Sequence, residues 1–579
     1  MGRLSYLCSD HYFSFEHGYN KEISQFYQVQ SSNSHDRSFS KLDRHNHEDV
    51  SVLKPATVAG YQNPRIKADH SLCIGLHPVL SRKLAAVIMD DTAGMNSIVP
   101  PISTWKTRLR DTRPQLPASR HAHSAFYHNL EEALDIRRSS GIYYSIVQNP
   151  WRVGDAVDFC SGDILSLSRD KARRDEFLAQ LAHHPDFSIG SSGVRLMDGS
   201  YSFLEQAEQE IAAFHGTDAG LIVGSAFEAN VAVWTAVPRP GDVIVYDELV
   251  HASTHEGFKH SLALEKIEFP HNDVEEFRKV LTEVFESQRL VRQGKRSILV
   301  AVESIYSMDG DICPLQEFVD ISREISGEFD NIQFVVDEAH SIGVMGPKGA
   351  GLVCDLGLQE DIAIVIHSYG KAMGATGAVI LGDKIIKGAL ANFARSVIYT
   401  TSPSFPFVAA IKSAYTFLES ERAEVAQDRI QTLARTFFEA VVSHPIWPSA
   451  DERGLLSVPL VNGWMDRPFL AHIIPIRTRP KYTYWLYFHL LAKSFSVFPV
   501  EHPVVPLGKG RLRITLHCHN TEEEVQRFVA EVFSWVEEMI RIEDHVGSET
   551  VSRAASDVYA WMRRENLSGY GMPADYNTV

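Results

Sequence analysis

Two apolar runs in the middle of the chain are each followed by side chains that can do acid–base or covalent chemistry. Residues 334–336 lead directly into Asp337, with His340 three positions later, and residues 363–366 lead into a polar stretch that ends at Lys371. A lysine just beyond a buried strand and before a glycine-containing segment is predicted to lie in a semi-buried cleft, where desolvation disfavours the ammonium form. Such a lysine is nucleophilic enough to form a Schiff base.

Asp337 is predicted to stand at a neighbouring strand end, where a carboxylate can face a pyridinium nitrogen and keep it protonated. A Schiff-base lysine and an aspartate at adjacent strand ends are the minimal set for pyridoxal 5′-phosphate chemistry. Taken singly, these residues also have structural explanations: Lys371 as a surface lysine, Asp337 as a helix cap and His340 as a core hydrogen-bonding group. Their joint placement favours the cofactor hypothesis.

The elements that must position these residues are predicted from short, continuous apolar runs, which are typical of strands covered on both faces. Six such runs occur, at residues 220–223, 242–246, 297–302, 334–336, 363–366 and 378–381. Helical patterns such as 205–214 and 274–285 separate several of them, so crossover connections are expected. The sequence therefore predicts an α/β fold with a mostly parallel central sheet, in which ligands bind at the carboxyl ends of the strands.

Composition divides the chain into four regions. They are a polar, partly disordered N-terminal extension with one helix near 80–89 (1–125), an N-terminal segment with the large cofactor-binding domain (126–425), a smaller C-terminal α/β domain (426–545) and a polar tail (546–579). Within the smaller domain, strands at 473–476 and 511–517 and a helix over 522–540 are expected.

Charge and cysteine content argue against several classes of protein. The chain has 56 Lys and Arg against 73 Asp and Glu, a net charge of −17, so nucleic acid is not an expected partner. The six cysteines include no C-x-x-C pair, and His517 and His519 have no further ligands nearby in sequence, so no metal site is predicted. With no apolar stretch of about 18 residues and no secretory signal, we expect a cytoplasmic protein without a membrane span.

A series of motifs follows one order over roughly residues 125–540. They are Ser-Ala-Phe-Glu-Ala-Asn at 225–230, His-Ala-Ser at 251–253, His-Asn-Asp at 271–273, Ser-Met-Asp-Gly-Asp at 307–311, Asp-Glu-Ala-His-Ser at 337–341, His-Ser-Tyr-Gly-Lys-Ala-Met-Gly at 367–374, Tyr-Thr-Thr-Ser at 399–402 and Arg-Leu-Arg at 511–513. This series resembles the α-oxoamine synthases, the pyridoxal-phosphate family of amino-oxononanoate synthase and serine palmitoyltransferase. The resemblance implies a fold-type-I transferase with a large domain and a smaller C-terminal domain.

The resemblance also implies a role for each matching residue near the cofactor. Around the cofactor ring, it implies Lys371 as the Schiff-base lysine, Asp337 on the pyridinium nitrogen, His340 near the phenolic oxygen, His251 stacked on the ring and Ser307 near the ring. At the phosphate, it implies the amides of Ala226 and Phe227 together with Ser368. It also implies a homodimer in which Thr400 or Thr401 reaches the phosphate of the neighbouring subunit. Backbone amides at a helix start suit a phosphate, and an imidazole offers a flat face for stacking. The structural alternative for Ser307 and the two threonines is a role in turns.

For the substrates, the resemblance implies that Arg513 binds a carboxylate, which a planar guanidinium matches with two parallel hydrogen bonds. The structural alternative for Arg513 is an ion pair. An arginine that holds the acyl substrate in some relatives falls near Tyr144 in this chain. Departures from the family pattern also occur at Gly162, Leu204 and Val504. These differences bear on the acyl donor and its carrier and leave Lys371 and Asp337 untouched.

The reaction implied is the condensation of an amino acid with an acyl thioester, on CoA or a carrier protein, with loss of CO2 to give an α-amino ketone. The N-terminal extension and the diverged substrate positions favour specialised metabolism. Two alternatives stay open. One is an aminotransferase that shares Lys371 and Asp337, and the other is a non-catalytic partner subunit of a synthase, against which the presence of Lys371 counts.

Overall fold

The computed structural model describes residues 102–103, 105–106, 124–139, 143, 156–545, 550–565, 567, 570 and 572. All of them belong to one compact unit, residues 98–579. Tyr144 and the helix expected near 80–89 lie outside the described residues. No helix in the described part of the chain is long and apolar enough to cross a membrane.

The described chain contains twelve strands. They are β1 (Val157–Asp158), β2 (Ala219–Val223), β3 (Val243–Asp247), β4 (Glu265–Phe269), β5 (Ile298–Glu303), β6 (Ile332–Asp337), β7 (Ile364–Ser368), β8 (Ala378–Gly382), β9 (Ile473–Ile476), β10 (Phe495–Ser496), β11 (Phe498–Val500) and β12 (Arg511–Thr515). The six predicted apolar runs correspond to β2, β3, β5, β6, β7 and β8. Their bounds differ from the prediction by no more than a few residues, because strand ends are set by pairing as well as by hydrophobicity.

The α-helices surround these strands. Those described are α1 (Ala125–Ser139), α2 (Lys171–His183), α3 (Ser202–Phe214), α4 (Ala226–Ala236), α5 (Ala252–Lys259), α6 (Val274–Ser287), α7 (Arg289–Arg292), α8 (Leu315–Ser326), α9 (Leu352–Leu356), α10 (Lys384–Phe393), α11 (Arg395–Ile398), α12 (Phe405–Leu418), α13 (Glu421–Val442), α14 (Trp447–Glu452), α15 (Thr483–Ala492), α16 (Glu522–Glu543) and α17 (Arg553–Arg564). Short 3-10 helices cover Gly327–Phe329, Pro347–Gly349, Pro459–Val461, Trp464–Asp466 and Pro480–Tyr482.

Seven strands form the central sheet in the order β2-β8-β7-β6-β5-β3-β4. Strand β8 runs antiparallel to both of its neighbours, and the other pairs are parallel. This is the mostly parallel sheet of the predicted α/β fold, which is confirmed. Strand β4 was not predicted, because at this edge Glu265 and Lys266 are exposed and the strand has no continuous apolar run.

Both faces of the central sheet are covered, and β5 shows this residue by residue. Val300 and Val302 belong to one hydrophobic core, whereas Leu299 and Ala301 belong to a second core on the opposite face. Successive side chains of a strand point to opposite faces, so a strand buried on both sides carries a nearly continuous run of apolar residues. For this reason, continuous apolar runs in the sequence predict the strands of the central sheet.

A third core lies in the C-terminal part of the chain. It is built around the antiparallel sheet β11-β12-β9 and the helices α13, α15, α16 and α17. Helix α13 runs from one core to another, since Ile430 packs in the core of the large sheet and Phe437 in the C-terminal core. The proposed division into domains near residue 425 therefore falls within the first turns of a helix that both cores share.

Two segments predicted to be outside the folded core contribute to it. Trp105, within the predicted extension, is buried and lies 4.8 Å from the ring of Phe488. The region predicted as a polar tail contains α17, which buries Tyr559 and Met562. The reason is that the apolar residues of α17 recur at helical spacing and form one face, a pattern that the average polarity of the region conceals.

Candidate active site

The carboxyl ends of β6 and β7 bring the two predicted catalytic residues together. Asp337 ends β6 in register with Ile366 of β7, and Lys371 lies in the turn that follows β7. The Nζ atom of Lys371 is 2.8 Å from Nε2 of His340. Burial and the charge of Arg513 lower the pKa of Lys371, although Asp337 and Glu303 act in the opposite direction. A lysine whose charge is disfavoured in this way is a good nucleophile and base.

Asp337 is almost fully buried and is held by donors from two elements. Its Oδ2 accepts a hydrogen bond of 2.7 Å from Nδ2 of Asn230 in α4, and its Oδ1 accepts one of 2.9 Å from the amide of Ala339. Neither donor is a cation. This carboxyl group can therefore also face a cationic ligand atom at the site, such as a pyridinium nitrogen.

A short relay of polar groups runs from Asp337 to His251. Asn230 Nδ2 also contacts Ser253 Oγ at 3.1 Å, and Ser253 Oγ lies 2.7 Å from Nδ1 of His251. His251 caps the start of α5 and is exposed at the residue level. Asn230 and Ser253 lie in predicted motifs, but sequence reasoning gave them no role, because their link to Asp337 exists only after α4 and α5 pack beside the sheet.

Glu303 is a further carboxylate at the site, to which sequence reasoning gave no role. It ends β5 directly opposite Asp337 of β6, and its Oε1 accepts a hydrogen bond of 2.5 Å from the backbone amide of His251. Burial and the neighbouring charge of Asp337 raise the pKa of Glu303 well above its usual range. Its position directly after an apolar run is the sequence signal that could have identified it.

The start of α4 carries the predicted phosphate-binding amides. Ser225 caps the helix by accepting a hydrogen bond of 3.1 Å from the amide of Glu228, and Ala226 and Phe227 are the first two helical residues. The first amides of a helix have no partner within the helix and are directed at any anion placed there. Ser368 ends β7 and is buried. These groups fit a phosphate.

Arg513 lies on β12 and is held at one end only. Its Nε donates a hydrogen bond of 2.6 Å to the carbonyl of Ser307. No carboxylate within the described ranges forms an ion pair with its guanidinium, although its charge acts on both Lys371 and His340. The structural alternative, an internal ion pair, is therefore not what the described chain shows. The two Nη groups remain for a ligand.

The loop that carries Ser307 is fixed from two sides. His271 is bound by Asp247 at 2.9 Å and by Asp311 of the loop. Burial opposes a charge on His271, but the two carboxylates outweigh it and raise its pKa to about 10. From the other side, Asp309 accepts a hydrogen bond of 2.5 Å from Arg477 in the C-terminal part of the chain.

The remaining predicted site residues are not joined to this cluster. Thr400 and Thr401 are exposed after α11, and the backbone of Thr401 pairs with Val194. Their predicted contribution to a neighbouring subunit stays a prediction. Tyr144 lies outside the described residues.

Two histidines considered as metal ligands are grouped with a carboxylate. The ligand atoms of Asp158, His517 and His519 lie within 4.8 Å of one another. Arg169 already places its guanidinium 3.2 Å from Asp158 and 3.3 Å from His519. A guanidinium in this position supplies the positive charge that a metal ion would bring, so the geometry favours an ion pair.

Comparisons with known proteins converge on one family. The family described as aminotransferase class I and II matches residues 154–532. The chain is 48% identical over 467 residues to an aminoacyl transferase sphA from Byssochlamys spectabilis, covering 81% of this chain and 98% of the relative. It is 37% identical over 388 residues to 8-amino-7-oxononanoate synthase from Emericella nidulans, covering 66% of this chain and 90% of the relative.

Among solved structures, the fold is similar to that of a serine palmitoyltransferase variant from S. paucimobilis with bound PLP-myriocin. The TM-score is 0.55 with 22% sequence identity, over 66% of this chain and 87% of the other. At this identity the likeness concerns the fold. The fold is that of the fold-type-I transferases.

Proposed function

The chain belongs to the class I and II aminotransferases and, within them, to the α-oxoamine synthases, and from this premise we propose that it condenses an amino acid with an acyl thioester. It is a pyridoxal 5′-phosphate-dependent acyl or aminoacyl transferase. In the proposed reaction the amino acid gains the acyl group at Cα and loses its carboxylate, so the products are an α-amino ketone, CO2 and the free thiol.

Pyridoxal 5′-phosphate supplies an electron sink that takes up the negative charge left at the substrate Cα. The described residues fit it. Lys371 is an amine whose pKa is lowered by burial, which suits covalent attachment, Asp337 is a carboxylate whose hydrogen-bond donors among the described residues are neutral, and the helix start at Ala226 directs its first amides at a phosphate. The exposed His251, with Ser307, Ser368 and Nδ1 of His340, which has no hydrogen-bond partner among the described residues, completes the set.

The observation that carries the proposal is the guanidinium of Arg513, which forms no ion pair with a carboxylate among the described residues and whose charge acts on Lys371. A buried arginine without an internal carboxylate is costly unless an anionic ligand pairs with it. The α-carboxylate of an amino acid is such a ligand, and two-point binding fixes the orientation of the Cα–H bond. Lys371, with its lowered pKa, is placed to take that proton.

The acyl donor is proposed to be a thioester on CoA or on a carrier protein. The relative that is 48% identical is named an aminoacyl transferase, which supports a transfer of this kind. A homodimer in which Thr400 or Thr401 reaches the phosphate site of the partner is part of the proposal, and the exposure of both threonines supports it.

The test is an absorbance spectrum of the purified protein with pyridoxal phosphate, followed by a panel of glycine, serine and alanine and then an acyl-CoA. Wild type is expected to show the band of lysine-bound cofactor, and Lys371→Ala is expected to lack it. Release of labelled CO2 from a carboxyl-labelled amino acid, only when the thioester is present, supports the synthase. Conversion of the cofactor to its amine form without CO2 release overturns it in favour of an aminotransferase, and no band at all favours a non-catalytic subunit.

A further inference from the structure

His472 is a buried histidine near the candidate site that has no role so far. It lies immediately before β9, and its backbone carbonyl accepts a hydrogen bond of 2.8 Å from the amide of Leu516. Its side chain is fully buried, and neither ring nitrogen has a hydrogen-bond partner within the described part of the chain. A buried imidazole without partners leaves one donor and one acceptor unsatisfied, which folding alone does not favour.

The surroundings of His472 are those of the reaction site. Its ring lies 6.2 Å from the ring of His340, whose Nε2 contacts Lys371. Burial, followed by the charge of Arg513, lowers the pKa of His472 to about 3. The ring is therefore neutral at physiological pH and carries one N–H donor.

A neutral donor near Arg513 suits one ligand in particular. A carboxylate bound by the two Nη groups of Arg513 retains lone pairs that can accept a further hydrogen bond. Hydrogen bonds to a charged acceptor are stronger than those between neutral groups. Because Nε of Arg513 already donates to the carbonyl of Ser307, the carboxylate can bind only on the Nη side. A second donor would then fix the orientation of the bound carboxylate.

We propose that His472 is a substrate-binding residue, whose ring N–H donates to the amino-acid carboxylate held by Arg513. The inference rests on the proposed function, because it requires an amino acid at this site. It names one more group that selects an α-carboxylate and holds it before CO2 leaves.

His367 provides a matched control. It is also fully buried, and neither of its ring nitrogens has a hydrogen-bond partner among the described residues. However, its ring stacks on His215 with centroids 4.2 Å apart, and its Nε2 lies 3.7 Å from a carboxylate oxygen of Glu338. His367 is thus surrounded by interior groups of the protein, and its removal should not affect substrate binding.

The experiment is a titration of cofactor-loaded protein with the amino acid selected by the spectroscopic panel, read from the change in the cofactor band. His472→Leu is expected to raise the Kd of the amino acid about 10-fold, the effect of one hydrogen bond to a charged group, and to leave the KM of the acyl-CoA within about twofold. His472→Asn or His472→Gln is expected to restore most of the affinity, depending on which ring nitrogen donates. His367→Leu is expected to leave the Kd unchanged.

A second measurement separates binding from structure. The urea midpoint of cofactor-free His472→Leu is expected to equal or exceed that of wild type, because two unsatisfied polar atoms are removed. A lower midpoint with no rescue by Asn or Gln would assign His472 a structural role and overturn the inference. An unchanged amino-acid Kd also overturns it, including the case in which only the KM of the acyl-CoA rises. If wild type itself binds no amino acid, the proposed function fails and the inference fails with it.

Discussion

Nε2 of His340 and Nζ of Lys371 are 2.8 Å apart, and this contact joins the segments that follow the neighbouring strands β6 and β7. Burial lowers the pKa of both groups, and the lysine charge lowers that of His340 further. At neutral pH the imidazole is therefore uncharged, and its Nε2 is a hydrogen-bond partner of the lysine nitrogen. The contact holds Nζ in one orientation, while burial and the charge of Arg513 lower the pKa of the lysine.

From this contact, His340→Leu is expected to lower kcat by on the order of 100-fold, because Lys371 loses the hydrogen-bond partner that orients it. Steady-state kinetics at saturating substrates is the measurement. His489→Leu is the matched control, since His489 is a buried histidine in α15 that contacts Glu531 at 3.2 Å. Equal losses of kcat in the two variants would contradict the interpretation.

The contact between Asn230 and Asp337 is expected to matter for stability. Asn230→Ala removes the donor 2.7 Å from Oδ2 of Asp337 and leaves a buried carboxylate oxygen short of a partner. We expect the free energy of unfolding to fall by about 1–3 kcal/mol. Urea denaturation of the cofactor-free protein measures this. The control is Asn392→Ala, which alters an exposed amide on α10 and should stay within about 0.5 kcal/mol of wild type. An equal loss of stability in the two variants would contradict the role given to the contact between Asn230 and Asp337.

The charge on His271 predicts a pH dependence of stability. Its pKa is raised from 6.5 to about 10 in the folded protein, so its contribution is fully present below pH 6.5 and is lost as the pH rises towards 10. The contribution is at most about 5 kcal/mol. Wild type should therefore lose more stability than His271→Gln between pH 7 and pH 10. Urea unfolding at a series of pH values measures the difference, and parallel curves for the two proteins would refute the prediction.

Much of the fold and part of the site follow from local sequence. Strand β5 is apolar from Ile298 to Val302 because both of its faces are covered, so it is recognisable on its own. The same pattern locates Asp337 at the end of β6 and Lys371 just beyond β7. Strand β4 is not recognisable, because an edge strand with exposed Glu265 and Lys266 lacks that pattern.

The polar contacts of the site were harder to predict than its reactive residues. Asn230 sits among apolar residues of α4, and only the packing of that helix beside β6 turns it towards Asp337. Arg513 meets the carbonyl of Ser307 across more than 200 residues of sequence. A pattern in the sequence reports burial and local conformation, whereas such contacts depend on how distant elements are placed.

Replacing Arg513 by lysine is expected to show that shape as well as charge is needed. Arg513→Lys keeps the positive charge but loses the planar fork and the Nε contact with Ser307. The Kd of the amino acid should rise by about 10- to 100-fold, with little change in the KM of the acyl-CoA. Titration of the cofactor band gives the first value and steady-state kinetics the second. Full affinity in the lysine variant would argue against two-point binding of a carboxylate.

The loop that holds Ser307 has no room for a side chain at Gly310. This glycine has φ +69°, and an added Cβ would lie 2.0 Å from the carbonyl oxygen of Ile473. Gly310→Ala is therefore expected to destabilise the protein by about 2 kcal/mol or more and to weaken amino-acid binding, because the loop must shift away from Arg513. Gly388→Ala is the control, since Gly388 lies within α10 with nothing within 4 Å of the added Cβ. That variant should be neutral or more stable by up to about 1 kcal/mol. Urea denaturation and amino-acid titration of both variants test the pair, and normal binding in Gly310→Ala would show that Ser307 does not position Arg513.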